Sequence, residues 1–147
     1  MPNSVYQLKT NSTQFAHVNL GEECTLAAID IGTNSIHMVI VRIQPSLPAF
    51  TIIAREKDTV RLGHRDRLTG NLTEEAMARS LQALRRCQEL AKSFQVDSLV
   101  AVATSAMREA PNGREFLQQI ETELGLEVDL ISGQEEARRI YLGVLSA

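Results

Sequence analysis

The chain has few cysteines, no long apolar run and no excess of positive charge, and each shortage argues against a class of protein. Its 2 cysteines lie outside any CxxC pair, so we expect neither a disulfide scaffold nor a zinc site. No apolar run approaches the roughly 20 residues that a membrane-spanning helix needs. The net charge of −3 gives no reason to expect nonspecific binding to nucleic acid or to an anionic membrane.

The composition is that of a folded domain. The chain has 147 residues and is 44% hydrophobic, which is enough for a core of ordinary size. Residues 1–24 are mostly polar and show no secretory pattern, so we expect a flexible leader there, one domain over 25–147 and a cytoplasmic location.

The spacing of apolar residues predicts an α/β fold. Apolar runs at 26–31, 36–43 and 50–54, the last extending toward Val60, predict an antiparallel meander. Helices and strands then alternate: helix 73–94, strand 99–103, helix 112–124, strand 126–131 and a helix from 132. Because strands joined through helices need crossover connections, we expect the later strands to be parallel. The predicted order is βββαβαβα, with a mixed five-stranded sheet.

A turn of small polar residues follows the first predicted strand. The strand ends at Asp30, and Gly32, Thr33, Asn34 and Ser35 come before the next apolar run. Backbone N–H groups in such a turn can surround a phosphate while the carboxylate faces a metal ion or a water. The alternative is an ordinary hairpin, in which Gly32 supplies a positive φ and Asn34 tolerates one.

A second polar group follows the strand at 99–103. Thr104, Ser105 and Arg108 fall at its carboxyl end, where open α/β sheets bind ligands. The guanidinium of Arg108 can bind a phosphate through two hydrogen bonds. A surface arginine beside Glu109 is the alternative.

Two acids open the last predicted helix. Glu135 has the spacing of a capping box with Ser132. Glu136 has no such role, and the helix dipole favours its ionised form, which can accept a proton from water. A surface acid that compensates the dipole is the alternative.

These three groups each follow a strand, so we expect the Asp30 turn, Arg108 and Glu136 to meet in one crevice and form a hydrolytic site. The loop 61–67 is rich in arginine and can lie along a long polyanion, although a solvated loop is the simpler interpretation. His37 lies inside the second strand, where it either contacts the ligand or packs in the sheet.

Three motifs together resemble the amino-terminal domain of the exopolyphosphatase / guanosine pentaphosphate phosphatase (Ppx/GppA) family. They are Ala-Ile-Asp-Ile-Gly-Thr-Asn-Ser-Ile-His from 28, Ala-Thr-Ser-Ala-Met-Arg from 103, and Ile-Ser-Gly-Gln-Glu-Glu-Ala-Arg from 131. The resemblance covers 25 to about 145. It implies the actin-like, Hsp70-like (ribonuclease H-like) fold, with an active site between two similar domains. It also implies hydrolysis of terminal phosphate from inorganic polyphosphate, or of the 5′ γ-phosphate of guanosine pentaphosphate.

The resemblance also implies roles for residues at matching motif positions. Residues 32–35 would form the first phosphate loop, with Asp30 near a Mg²⁺ ion. Arg108 would contact phosphate, and Glu136 would be the catalytic base. Further candidates are Glu135, His37, Thr104 and Ser105.

The family's second glycine-rich loop has no match before Ala147. We therefore expect a first domain that needs a carboxyl-terminal partner domain and is nearly inactive alone. A face left exposed without that partner would allow a homodimer. A non-catalytic module that binds phosphorylated ligand or a partner is the alternative. A third interpretation, a sugar kinase or ATPase relative, is disfavoured by the Glu-Glu-Ala-Arg helix start.

Overall fold

A computed structural model describes residues 22–46 and 50–146, so most of the expected leader lies outside the described residues. The elements are β1 Cys24–Ile31, β2 Ser35–Ile43, β3 Thr51–Thr59, α1 Glu74–Ser93, β4 Ser98–Ala103, α2 Ser105–Glu109, α3 Gly113–Leu124, β5 Asp129–Leu130 and α4 Gly133–Ser146.

The strands form one mixed sheet with β1 at its centre. The 5-stranded sheet has the order β3-β2-β1-β4-β5. The meander β1–β2–β3 is antiparallel, whereas β4 runs parallel to β1 and β5 runs parallel to β4. The expected mixed five-stranded sheet is thus confirmed. Because β1 and β4 are parallel neighbours, the turn after Asp30 lies beside the residues that follow Ala103.

Alternation along the strands separates a core face from an outer face. Ile29 of β1 and Met38 of β2 point to the core face, where they pack against Leu84 of α1 and Phe116 of α3. Burying each such side chain contributes about 1.5–3 kcal/mol. We call the opposite side of the sheet the outer face; Asp30 lies on it because it alternates with the buried Ile29 and Ile31.

The structure departs from the predicted order βββαβαβα by one short helix. The 5 residues of α2 come between β4 and α3. A segment of that length is too short to show a helical period, and Pro111 separates it from α3. The fifth strand is also shorter than predicted, with 2 residues paired to β4.

The predicted helix caps have mixed outcomes. Thr73 caps α1 by accepting from the Ala76 amide, and Gly125 ends α3 with a φ of 63°. The capping box predicted at Asn112 is wrong. The Asn112 side chain instead accepts from the Leu72 amide (2.8 Å) and donates to the Leu72 carbonyl (3.1 Å). A tertiary contact has replaced the local one, and it fastens α3 to the segment before α1.

Candidate functional site

The Asp30–Ser35 turn is tightly closed but does not use a positive φ. The Gly32 amide donates to the Ser35 carbonyl at 3.0 Å. Gly32 does not have a positive φ. Among the glycines of the described residues, Gly70 and Gly125 do. A Cβ on Gly32 would lie 3.0 Å from the Ser35 carbonyl oxygen, so glycine is favoured there by close approach. The turn is a hairpin between the antiparallel strands β1 and β2, but it lacks the positive φ that the ordinary-hairpin alternative gave to Gly32 and Asn34.

A loop after β3 holds the turn from one side. The amides of Val60 and Arg61 both donate to the Asn34 carbonyl, at 3.1 and 2.8 Å. The Gly63 amide donates to the Thr33 carbonyl at 2.8 Å. Arg61 has a left-handed backbone with a φ of 52°, which costs energy for a residue other than glycine. The start of loop 61–67 is therefore structural support for the turn as well as a source of charge.

Helix α2 holds the turn from the other side. Thr33 Oγ1 and Ser105 Oγ are hydrogen-bonded at 2.8 Å. Thr104, just before Ser105, is only 7% exposed, and its amide donates to the Ile31 carbonyl at 3.4 Å. Ser105 thus reaches the polar side of the turn, whereas Thr104 is buried and joins β1 to β4.

Arg108 connects α2 to the start of α4. Its Nη1 donates to the Ile131 carbonyl at 2.7 Å, and its Nη2 lies 3.8 Å from Glu136 Oε2. Both side chains are about one-third exposed, at 31% and 35%. An arginine and a carboxylate therefore meet at the carboxyl ends of the parallel strands, with exposed surface left for a ligand.

Asp30 is electrostatically coupled to the same group. Partial burial raises the pKa of its carboxyl, the nearby His37 lowers it, and the negative charge of Glu136 raises it further. His37 is the residue directly opposite Asp30 on β2. The Asp30 carboxyl therefore lies close enough to both His37 and Glu136 to be affected by their charges.

Glu135 is engaged elsewhere. Its carboxylate accepts from Arg138 Nε at 2.8 Å and from Arg139 Nε at 2.8 Å, and these bonds lower its pKa to about 2. The predicted capping box is half formed: Ser132 Oγ accepts from the Glu135 amide at 3.1 Å, but the Glu135 carboxylate faces the two arginines. Glu135 is therefore a helix-stabilising residue in this structure.

Apart from Gly32, Asn34 and Ser35, which form the turn itself, the predicted site residues divide into two groups. The structure brings together Asp30, Thr33, His37, Ser105, Arg108 and Glu136. It directs Glu135 to the arginines of α4 and buries Thr104. Sequence patterns do not indicate the contacts of Gly63 with Thr33 or of Arg108 with the Ile131 carbonyl, because both join residues far apart in the chain.

Within residues 22–46 and 50–146, no helix is long and apolar enough to cross a membrane. No group of three or more His, Cys, Asp or Glu side chains in these segments is placed to hold a metal ion by itself.

Comparison with known proteins identifies the family. The model of the Ppx/GppA phosphatase family matches residues 39–147. The chain belongs to this family. Solved structures of Ppx/GppA proteins agree with this assignment. A family member from Aquifex aeolicus has a TM-score of 0.78 and 34% sequence identity, over 84% of this chain and 40% of its own. An exopolyphosphatase from Cytophaga hutchinsonii has a TM-score of 0.77 and 32% identity, over 84% of this chain and 39% of its own.

A third Ppx/GppA relative, an exopolyphosphatase-like protein, is 37% identical with a TM-score of 0.71 and is matched over 35% of its length. The chain therefore spans between 35% and 40% of these three relatives. The Ppx/GppA family and the α/β fold with a mixed five-stranded sheet, both expected from the sequence, are confirmed. The family match begins at residue 39, after the Asp30 turn.

Proposed function

We propose that this domain supplies one wall of a phosphoanhydride hydrolase site. The reaction is the release of terminal phosphate from inorganic polyphosphate, or of the 5′ γ-phosphate from guanosine pentaphosphate. The observation that carries the proposal is the meeting of Arg108 and Glu136 at 3.8 Å beside Asp30. When water attacks a phosphate, a carboxylate can take the proton from the water and a cationic donor can stabilise the negative charge on the phosphate. Both groups are present at this edge of the sheet.

The phosphate would lie between the turn and α2. The Gly32 amide already donates to the Ser35 carbonyl, so the backbone N–H groups of 33–35 are the ones that can donate to the phosphate oxygens, as in other phosphate-binding turns. The hydroxyls of Thr33 and Ser105 share a hydrogen bond, which leaves one of their two O–H groups as a further donor. Arg108 has one nitrogen held by the Ile131 carbonyl, which fixes the guanidinium plane and leaves other N–H groups for the phosphate.

Glu136 would act as the general base. Its carboxylate accepts a proton from a water whose oxygen attacks the terminal phosphorus, and the bond from that phosphorus to the bridging oxygen breaks. The adjacent Arg108 orients the carboxylate, and the first turn of α4 keeps it at the sheet edge. A general base of this kind contributes about 10²- to 10⁴-fold to the rate.

The residues present fit a magnesium ion held mostly by substrate. Mg²⁺ is usually bound through one or two carboxylates, with phosphate oxygens and waters completing its coordination. Asp30 would hold the ion. Its carboxylate is partly buried and lies near the negative charge of Glu136, and a bound cation would offset both the burial and the repulsion. When bound, the ion would neutralise phosphate charge.

The other wall would come from a second domain. The chain corresponds to 40% of the Aquifex aeolicus relative, so most of that protein lies outside the match. Catalysis needs its donors preorganised around a single phosphate, and we propose that the 147-residue chain alone is nearly inactive. The cytoplasmic location and the homodimer stay predictions.

The test is Glu136→Gln in a protein that joins this domain to a second Ppx/GppA domain. We expect phosphate release to fall by about 100-fold or more, while polyphosphate binding measured by calorimetry changes little. Glu121→Gln, on the exposed surface of α3, is the matched control and should leave both unchanged. Unchanged hydrolysis in Glu136→Gln would show that Glu136 is not the general base. Binding without hydrolysis in the unsubstituted protein would favour the non-catalytic module.

A further inference from the structure

We propose that Arg79 of α1 is a positioning residue for the phosphate-binding turn. It acts at one remove from the turn, through the peptide group between Val60 and Arg61. That peptide group is hydrogen-bonded to Arg79 on one side and to the carbonyl of Asn34 on the other. The proposal rests on the proposed function, because the turn that Arg79 would hold is the one that would bind phosphate.

A single peptide group carries both contacts. Arg79 Nε donates to the Val60 carbonyl at 3.0 Å, and the Arg61 amide of the same peptide donates to the Asn34 carbonyl at 2.8 Å. A trans peptide is planar, and its C=O and N–H bonds point in opposite directions, so fixing the carbonyl also fixes the direction of the amide. The guanidinium of Arg79 therefore sets the direction of one of the two amides that hold Asn34.

The backbone at this point needs such support. Arg61, directly after the peptide group, has a φ of 52°, a conformation that persists in a residue other than glycine only where the surrounding structure holds it. Val60 is 1% exposed, so a carbonyl there that lost its donor would have little access to water. Without the Arg79 side chain we expect this peptide group to rotate and the hydrogen bond from Arg61 to Asn34 to weaken.

Arg79 itself is attached to a part of the fold that does not depend on the turn. Helix α1 is capped by Thr73, and its residues Ala76 and Ser80 are fully buried. Ser80 Oγ donates to the Ala76 carbonyl at 2.8 Å, which satisfies the hydroxyl within the helix. Core packing thus fixes the backbone of Arg79, and the side chain transmits that position to the turn.

The alternative role for a cation in this place is attraction of the phosphate by its charge. Two substitutions separate the roles. In Arg79→Gln, the side-chain nitrogen lies the same number of bonds from Cα as Arg79 Nε, so a donor is kept while the charge is lost. In Arg79→Met, a side chain of similar length has neither. A hydrogen-bonding role predicts that the Gln variant recovers what the Met variant loses, whereas a charge role predicts equal losses.

The experiment compares both variants with a matched control. Arg85→Met changes the same residue type on the same helix, where the side chain pairs with Glu123 of α3 at 3.4 Å. Calorimetry measures tripolyphosphate binding to the 147-residue chain and to each variant. Hydrogen exchange followed by NMR measures the protection of the Arg61 amide. Urea denaturation gives the global stability of each variant, against which a local loss of protection is judged.

We expect Arg79→Met to weaken tripolyphosphate binding by about 5- to 30-fold. It should also lower the protection of the Arg61 amide by more than its change in global stability explains. Arg79→Gln should recover most of both, and Arg85→Met should change neither. Equal losses in the Gln and Met variants would mean that charge is responsible and would overturn the proposal. Full protection of the Arg61 amide in Arg79→Met would also overturn it.

The exchange measurement does not depend on phosphate. If the unsubstituted chain fails to bind tripolyphosphate, phosphate binding by this domain is wrong, whereas the protection of the Arg61 amide still decides whether Arg79 holds the turn. Neither measurement bears on hydrolysis, which the Glu136→Gln test addresses separately.

Discussion

Gly63 lies so close to Thr33 that a Cβ atom on it would stand 2.4 Å from Thr33 Cγ2. Its amide also donates to the Thr33 carbonyl at 2.8 Å. Thr33 in turn shares a hydrogen bond with Ser105 on its other side. The turn is thus held between a glycine and a serine that are both distant from it in sequence.

Gly63→Ala should therefore distort the turn. The added methyl must displace Thr33, and we expect a loss of about 1–3 kcal/mol in the free energy of unfolding, together with weaker phosphate binding. Urea denaturation and calorimetry measure the two effects. Gly133→Ala is the control for stability, because its Cβ would meet nothing closer than an Arg108 nitrogen at 3.8 Å. Equal stability of both variants would contradict the close contact.

Arg108→Lys should weaken phosphate binding although it keeps the charge. The guanidinium both donates to the Ile131 carbonyl and lies beside Glu136, and a lysine ammonium cannot reproduce that planar geometry. We expect affinity for tripolyphosphate to fall by about tenfold or more. Arg114→Lys on exposed α3 should have no effect. Full affinity in Arg108→Lys would show that charge alone matters at this position.

Asp30→Asn should stabilise the domain at neutral pH. Partial burial, opposed by His37 and reinforced by Glu136, raises the pKa of this carboxyl above its ordinary value of 3.8. The folded state then binds the proton more tightly than the unfolded state, so stability falls as the pH rises through this interval. Asparagine does not ionise, so the variant does not lose stability in this way as the pH rises. We expect a higher Tm near neutrality and little difference below 3.8, measured by thermal unfolding.

The same interaction has a direct spectroscopic test. Glu136→Gln removes a negative charge near Asp30, so the pKa of Asp30 should move down in an NMR titration. An unchanged pKa would contradict the proximity of the two carboxylates. A lower Tm for Asp30→Asn at neutral pH would show that the ionised carboxylate stabilises the fold.

Glu135→Gln should affect helix α4 and spare the chemistry. Arg138 and Arg139 lower the pKa of Glu135 to about 2, so their stabilisation is complete above its ordinary 4.5 and is lost as the pH falls toward 2. The substitution should remove this acid dependence from amide hydrogen exchange in α4. In a two-domain protein, phosphate release should remain near that of the unsubstituted enzyme. A large loss of rate would show that Glu135 takes part in the reaction.

Local patterns in the sequence determined the elements and the candidate chemistry. Alternation in β1 and β2, the threefold to fourfold spacing in α1, the Thr73 cap and the Gly125 ending are all encoded by near neighbours. Near neighbours also place Asp30 directly after Ile29, close to the end of β1. The short helix α2 escaped these patterns because 5 residues do not complete two helical turns.

Only the tertiary structure decided which of these groups meet. The parallel pairing of β1 with β4 brings Asp30 toward Arg108 and Glu136. Glu135 and Glu136 are adjacent in sequence, yet one turns to two arginines of its own helix and the other to Arg108. The physical reason is that the periodicity of the sequence specifies which side of a helix or strand is buried. Strand pairing and packing between distant residues specify which polar side chains lie close together.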